Sequence, residues 1–256
     1  MIKINKNLFN LNNKVVLITG VSGQLGAALA KLYLENGCKV YGIDINKCKI
    51  KHRNFYFYKK NLTSSKNTKQ IIDTIIKLNN KIDIIINNAA VSYFSNIFKR
   101  SNKEMNNTID VNLKSVIYLI TEYLKIHKKK KLKNCKIINI SSIYGLKSPD
   151  FKIYNKNDRF SSEIYGASKA GIIQITKYFS VLLAKYNITV NSISPGGIEN
   201  KKTQNVRFQK NYSKLVPLNR MAKVEDIFTT IIFLSSDHTN YITGQNIIID
   251  GGLSVK

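Results

Sequence analysis

Short apolar bursts alternate with longer stretches of helical period along the whole 256-residue chain. Residues 15–19, 39–43, 55–58, 82–87, 136–140, 189–193 and 246–249 are rich in β-branched or aromatic side chains, which predicts strands. Several are apolar nearly throughout, as parallel strands covered on both faces should be. Between them, residues 25–36, 66–78, 103–130, 162–186 and 223–235 carry a helical period. Strand–helix alternation at this spacing predicts βαβ crossovers. The expected fold is α/β, a doubly wound parallel sheet of about seven strands with helices on both faces. No repeat, Pro-rich linker or composition shift marks a second domain, so residues 1–256 read as one unit. Two stretches resist assignment. Residues 146–160 are polar and aromatic, and residues 199–218 are weakly helical at best. Both begin just past strand C-termini, where open α/β sheets bind ligands, and are read as site-mouth loops.

Composition narrows the class. With 43% hydrophobic and 22% charged residues, the chain suits one globular core. No apolar run approaches the ~20 residues needed to cross a bilayer. Residues 1–14 are Asn/Lys-rich without an apolar signal core, so a soluble, cytoplasmic protein is expected. Cys38, Cys48 and Cys135 are scattered and lack metal-ligand spacing. Reduced thiols are expected, with neither a disulfide framework nor a metal site. The net charge of +26 admits two readings: a surface for nucleic acid, anionic lipid or an acidic partner, or a general drift toward Lys, Asn and Ile. Nucleic-acid binders concentrate charge and interleave aromatics. Here only 128–131 is dense, at the end of a predicted helix where cations suit the macrodipole. Drift is the favoured reading, and neither a nucleic-acid nor a membrane partner is expected.

The first strand runs into Thr19-Gly20-Val21-Ser22-Gly23-Gln24-Leu25-Gly26 and then a helix. Glycines there permit a tight turn and let the backbone approach a pyrophosphate, while exposed helix N–H groups favour its charge. This context predicts a dinucleotide-binding Rossmann domain, with Gly20, Ser22, Gly23, Gln24, Leu25 and Gly26 against the cofactor. Asp44 ends the second strand, 24 residues beyond Gly20. A carboxylate there accepts hydrogen bonds from ribose hydroxyls and repels a 2′-phosphate. NAD(H) is therefore preferred, although Lys47 and Lys49 soften the discrimination and leave NADP(H) open.

Tyr165 and Lys169 are spaced i, i+4 in a helical pattern and share one face. An ammonium beside a phenol stabilises phenolate, drawing its pKa from about 10 toward working pH. The tyrosine can then exchange a proton with a hydroxyl or carbonyl oxygen during hydride transfer. Lys169 can also hold the nicotinamide ribose. Such a pair alone is usually only a helix face; the surrounding residues give it meaning.

Tyr165-Gly166-Ala167-Ser168-Lys169-Ala170, preceded by Ile140-Ser141-Ser142-Ile143-Tyr144-Gly145, resembles the core of the short-chain dehydrogenase/reductase family. The resemblance runs through the whole chain in order. Asn87-Asn88-Ala89-Ala90 is similar to the family's N-N-A-G, which implies Asn88, Ala89 and Ala90 on the cofactor side. Val111-Asn112 resembles the helix asparagine that holds a water in the family's proton relay to the lysine. Pro195-Gly196-Gly197-Ile198 resembles the turn whose backbone meets the carboxamide, implying contacts from Pro195, Gly196 and Ile198. The stretches 217–221, 243–245 and 250–252 resemble its closing segments. The resemblance implies a catalytic set of Ser142, Tyr165, Lys169 and Asn112, with Tyr165 and Lys169 also meeting the cofactor. Ser141 is the competitor for the serine role, but its side chain should point to the opposite side of the strand end. A homodimer or homotetramer is implied as well, with 247–255 as an interface.

Departures from the family pattern are informative. The glycine turn reads T-G-x-x-G-x-x-G, the spacing of the family's extended branch. Ala90 replaces a glycine, Asn61-Leu62 stands where an acidic residue often precedes an apolar one beside the adenine, and Asn200 stands where threonine is usual. Ser142 and Tyr165 are 23 residues apart (165 − 142), longer than in compact members. The extra chain, 146–160, carries Phe151, Tyr154, Lys147, Lys152, Lys156 and Arg159, which suggests an anionic or sugar-like small-molecule substrate. Ser142, Tyr144, Tyr154 and Tyr165 are the candidate substrate contacts. The segment also resembles bacterial members of surface-glycan and flagellin-sugar pathways. The expected activity is NAD(H)-dependent interconversion of a secondary alcohol and a ketone, on a sugar or sugar phosphate. A 3-oxoacyl-carrier-protein reductase and a non-catalytic dinucleotide-binding regulator or nucleic-acid binder remain the alternatives.

Overall fold

The computed structural model describes residues 9–132, 134–154 and 160–256. Seven strands form one sheet: β1 (Val15–Thr19), β2 (Lys39–Asp44), β3 (Phe55–Lys59), β4 (Ile84–Asn87), β5 (Cys135–Ile140), β6 (Ile188–Pro195) and β7 (Asn246–Ile249). Every pair is parallel, in the order β3-β2-β1-β4-β5-β6-β7. The chain builds outward from β1 to β3 and then returns to β4 on the other side of β1. That reversal opens a crevice between the C-terminal ends of β1 and β4. The register aligns Ile18 with Ile86, so Gly20 and Asn88 leave the sheet side by side.

Among the described residues, seven α-helices cover it: α1 (Gln24–Glu35), α2 (Ser65–Asn79), α3 (Asn102–Ile109), α4 (Ser115–Lys130), α5 (Glu163–Leu183), α6 (Val206–Leu215) and α7 (Phe228–Ser235). Side chains alternate across each strand, which separates two cores. Leu17, Ile85, Ile137 and Val190 pack with Ile72, Ile120 and Ile172 of α2, α4 and α5. Val16, Ile18, Ile86, Ile138 and Ile193 face Leu29, Tyr33 and Ile231 of α1 and α7. Burial on both faces is why the strands read as unbroken apolar runs. Among the described residues, no helix is long and apolar enough to cross a membrane. The three cysteines are free, with Cys38 and Cys135 buried and Cys48 half-buried.

One expectation is refined and one corrected. The helical run expected over 103–130 is continuous but interrupted by a π-turn. A Ser101–Glu104 capping box starts α3, a π-helical turn spans Asp110–Lys114, and α4 follows. The wider turn sets Asn112 into the interior, where Oδ1 accepts from Val91 N at 2.8 Å and Nδ2 donates to Val91 O at 3.0 Å and Ser168 Oγ at 3.1 Å. A local π-turn commonly marks a working position. Within 199–218, residues read as weakly helical form α6, capped by Asn205 accepting from Phe208 N at 2.8 Å. Only Tyr212 of α6 is buried, so no apolar stripe announces it.

A buried polar ladder fixes α5 against the sheet. Asn87 Nδ2 donates to Asn139 Oδ1 at 2.8 Å, Asn139 Nδ2 to Thr176 Oγ1 at 2.9 Å, and Thr176 Oγ1 to Ile172 O at 2.7 Å. Each member is satisfied, as burial requires. Thr176→Val preserves shape but leaves the Asn139 donor without its acceptor. It should lower unfolding free energy by about 1–3 kcal/mol in urea titrations, whereas Thr176→Ser should stay close to wild type.

Candidate active site

The glycine turn shows which glycines the protein itself requires. Gly20 has φ +73°, and a Cβ there would lie 2.8 Å from Ala89 Cα. A Cβ on Gly26 would lie 2.1 Å from Gly20 O. Both are demanded by the close packing of turn, helix and β4. Gly23 differs: its φ is −77°, and a Cβ would meet only Gly20 O at 3.4 Å. The chain tolerates a side chain there, so the glycine leaves room for a group outside the chain. Gly23 also caps α1 without a side-chain acceptor, and no acidic residue occupies the first turn. The uncapped N–H groups and the helix dipole form a seat for an anion.

The neighbouring residues are gathered at this seat. Asn88 Nδ2 donates to Thr19 O at 2.9 Å and Gly20 O at 3.2 Å, and Thr19 Oγ1 accepts from Asn88 N and Ala89 N. Ala90 keeps a negative φ, so its methyl is tolerated. Asp44 accepts from Ser22 N and Asn46 N, both at 2.9 Å. Gly20, Ser22, Gly23, Gln24, Leu25, Gly26, Asp44, Asn61, Leu62, Asn88, Ala89 and Ala90 all line one cavity of about 530 Å³. Lys47 and Lys60 stand at the same end as Asp44. An elongated crevice with an anion seat and a carboxylate beyond it fits a dinucleotide.

β5 ends at Ile140, and the two serines after it diverge. Ser141 Oγ donates to Lys169 O at 2.8 Å. Ser142 Oγ accepts from Tyr144 N at 3.1 Å and shares the cavity wall with Tyr165, whose phenol it draws down. Ser142 lines the cavity that also holds Tyr165 and Lys169, whereas Ser141 Oγ is committed to α5. Two glycines let the serine turn touch α5: a Cβ on Gly145 would lie 2.7 Å from Lys169 C, and one on Gly166 would lie 2.9 Å from Tyr144 O. The helix begins at Ser162, whose Oγ accepts from Tyr165 N at 3.2 Å. Arg100, missed by sequence reading, anchors this end. It donates to Ser95 O at 3.0 Å and pairs with Glu163.

Lys169 is 3% exposed, and its Nζ donates to Ile140 O at 2.8 Å, 5.7 Å from the Tyr165 ring centroid. Burial lowers the ammonium to about 8, against an ordinary 10.5. Burial also raises the Tyr165 phenol, with the Ser142 hydrogen bond pulling partly back. Desolvation is the largest influence on the phenol, which lies above its ordinary value. Asn112 directs its amide to Val91 and Ser168. It braces α5 through Ser168 and the segment after β4 through Val91.

A second cavity of about 330 Å³ shares Leu25, Asn88 and Ala90 with the first. Ser142, Tyr144, Tyr154, Tyr165, Lys169, Pro195, Gly196 and Ile198 all line it. Its outer wall is aromatic, with the Tyr154 ring 5.7 Å from Phe208, 5.6 Å from Phe160 and 6.4 Å from Phe94. The Tyr144 and Tyr154 hydroxyls are 3.4 Å apart. Neither described loop cation, Lys147 or Lys152, lines this cavity. Lys147 donates to Leu253 O at 2.9 Å and Lys152 is exposed, while Lys156 and Arg159 lie outside the described residues. Lys169 is the sole cation lining this cavity among the described residues. Phe208 and Tyr212 went unread; their i, i+4 spacing after the Asn205 cap was the available signal. Gln24 reaches across the mouth, donating to Glu199 O at 2.7 Å.

A family model described as enoyl-(acyl carrier protein) reductase matches residues 20–254. A 3-oxoacyl-(acyl-carrier-protein) reductase of Buchnera aphidicola subsp. Schizaphis graminum is 32% identical over 252 residues, covering 95% of this chain and 98% of that protein. An NAD-dependent glycerol dehydrogenase of Listeria innocua is 29% identical over 257 residues, covering 97% and 96%. A short chain dehydrogenase from Leptospira borgpetersenii, solved with bound NAD+, superposes with a TM-score of 0.91 at 36% identity, covering 99% and 98%.

The buried ammonium has a measurable signature. Unfolded chain holds the Lys169 proton up to about pH 10.5, folded chain only to about pH 8. The unfolded state therefore binds more protons within that window, and stability rises with pH across it. Relative to Lys169→Met, which lacks the group, the wild type should gain up to about 3 kcal/mol between these limits. Paired denaturant titrations across that pH range measure it.

Proposed function

The chain belongs to the short-chain dehydrogenase/reductase family, and on that footing we propose that it interconverts a secondary alcohol and a ketone using NAD(H). The observation that carries the reading is the convergence of Ser142, Tyr165 and Lys169 where the dinucleotide-shaped crevice meets the aromatic cavity. When bound, the nicotinamide supplies or accepts the hydride. Gly23 and the N-terminus of α1 hold the pyrophosphate. Asp44 takes the adenosine ribose hydroxyls and disfavours a 2′-phosphate, although Lys47 and Lys60 leave NADP(H) some access.

In the reducing direction, Ser142 Oγ holds the carbonyl oxygen and the Tyr165 phenol delivers its proton there. The upward push of burial on Tyr165 suits a group that must enter the reaction protonated. Lys169 stays cationic at neutral pH, since its pKa is about 8, and stabilises the phenolate left behind. One Lys169 N–H is directed to Ile140 O, which leaves two for the nicotinamide ribose.

For the substrate, we infer a small, hydroxyl-bearing neutral molecule such as a sugar. Tyr154 and Phe208 offer ring faces, Ser92 and Ser161 offer hydroxyls, and Lys169 is the sole lining cation among the described residues. An anionic group finds little to pair with there. The similarity to 3-oxoacyl-(acyl-carrier-protein) reductases favours a second reading, a 3-oxoacyl thioester.

Tyr165→Phe should bind NADH within about twofold of wild type while losing turnover by about a thousandfold, the upper range of general acid–base contributions. Retained turnover would remove the phenol from the mechanism. Fluorescence titration should give tighter binding of NADH than of NADPH, and Asp44→Ala should narrow that gap. An NADPH preference in the wild type would instead support the thioester reading.

A further inference from the structure

The turn that follows β6 is held by a residue that lies outside every motif of the site. Gly196 N donates to Ile249 O at 2.8 Å, which ties the turn to β7. Gly197 N donates to the Tyr212 hydroxyl at 2.6 Å, and Gly197 O accepts from Ala222 N at 2.9 Å. The Gly197 backbone has no need of glycine, since its φ is not in the left-handed region. A Cβ there would instead lie 2.6 Å from Tyr212 Cζ and 2.9 Å from Cε1. Gly197 and Tyr212 are thus a matched pair: the glycine makes room for the ring, and the ring's hydroxyl satisfies the glycine N–H.

Packing alone does not account for a tyrosine here. The ring sits among Ile143, Ile153, Val216, Met221 and Leu253, where phenylalanine would serve equally. Tyr212 is 3% exposed, so its oxygen is the acceptor available to a Gly197 N–H withdrawn from water. Tyr212 also belongs to an aromatic series that crosses the site. Its ring centroid is 6.0 Å from Phe208, which is 5.7 Å from Tyr154. The series joins the loop after the serine turn to the turn after β6, and all three rings line the cavity that contains Tyr165 and Lys169.

We propose that Tyr212 is a positioning residue, which fixes the Gly197 turn so that the backbone of Gly196 and Ile198 presents a preformed edge to the nicotinamide. The inference rests on the dinucleotide reading above and adds to it a residue from α6. It assigns Tyr212 no contact with the reacting atoms. Its action is on one end of the cofactor only, because the adenosine and pyrophosphate seats lie on β1, β2 and α1.

The test compares NADH with ADP-ribose, which keeps the adenosine, pyrophosphate and second ribose but lacks the nicotinamide. Calorimetric titration of Tyr212→Phe should show NADH affinity reduced about tenfold, the scale of one buried hydrogen bond, with ADP-ribose affinity within twofold of wild type. Gly197→Ala, which drives a Cβ into the ring, should give the same selective loss. Unchanged affinity for both ligands would overturn the proposal. A parallel loss of both would also overturn it, since that is what general loosening of the fold produces. Absence of NADH binding by the folded wild type would overturn the dinucleotide reading and this inference with it.

Discussion

The site depends on how closely the chain leaving β5 lies against the first turns of α5. That seam admits no side chain at Gly145 or Gly166, because each backbone already touches the facing segment. Ser141 Oγ binds Lys169 O, and Lys169 Nζ returns to Ile140 O, so strand end and helix are stitched in both directions. Further along, Asn139 and Thr176 repeat the attachment in the interior, and Asn112 braces the opposite flank through Ser168. With α5 unable to roll, the Tyr165 hydroxyl faces Ser142. Rigid support of this kind is what positions reacting groups before substrate arrives.

The same seam removes water from an ammonium and a phenol. Desolvation is the largest influence on both, with the lysine pushed down to about 8 and the tyrosine pushed up. A core built for stability alone would place an apolar side chain at position 169. Retaining a cation there is a stability penalty accepted at a functional position, a common trade in enzymes. The sheet provides the other half of the arrangement. Reversal of the strand order at β1 and β4 opens the crevice, and Gly23, the one glycine of the turn with space beside it, lines it.

Much of this was legible in the residues. Strands buried on both faces announce themselves as apolar runs, and the glycine turn, Asp44 and the Tyr165–Lys169 pair, singled out by spacing and neighbouring motifs, line two adjoining cavities. What stayed hidden depends on partners distant in sequence. The π-turn at Asn112 inserts one residue into a helical period without changing composition. The Asn87–Asn139–Thr176 ladder is polar residues in apolar surroundings, meaningful only once β4, β5 and α5 are side by side. Helix α6 buries a single residue, so its pattern is that of a loop. The partner of Lys147 was hidden for a related reason: its ammonium is turned to Leu253 O, more than a hundred residues on in the chain. Spacing likewise reveals the cation beside Tyr165 and not the burial that raises its phenol.

A crystal structure of the protein with NADH tests the central claim most directly. The account predicts the pyrophosphate over Gly23 and the start of α1, the nicotinamide ribose on Lys169, and the hydride-bearing carbon facing the space between the Ser142 and Tyr165 hydroxyls. The backbone of 140–145 and 165–170 should be unmoved from the arrangement described above. A nicotinamide ring seated away from Tyr165, or a seam that must open to admit it, would contradict the account.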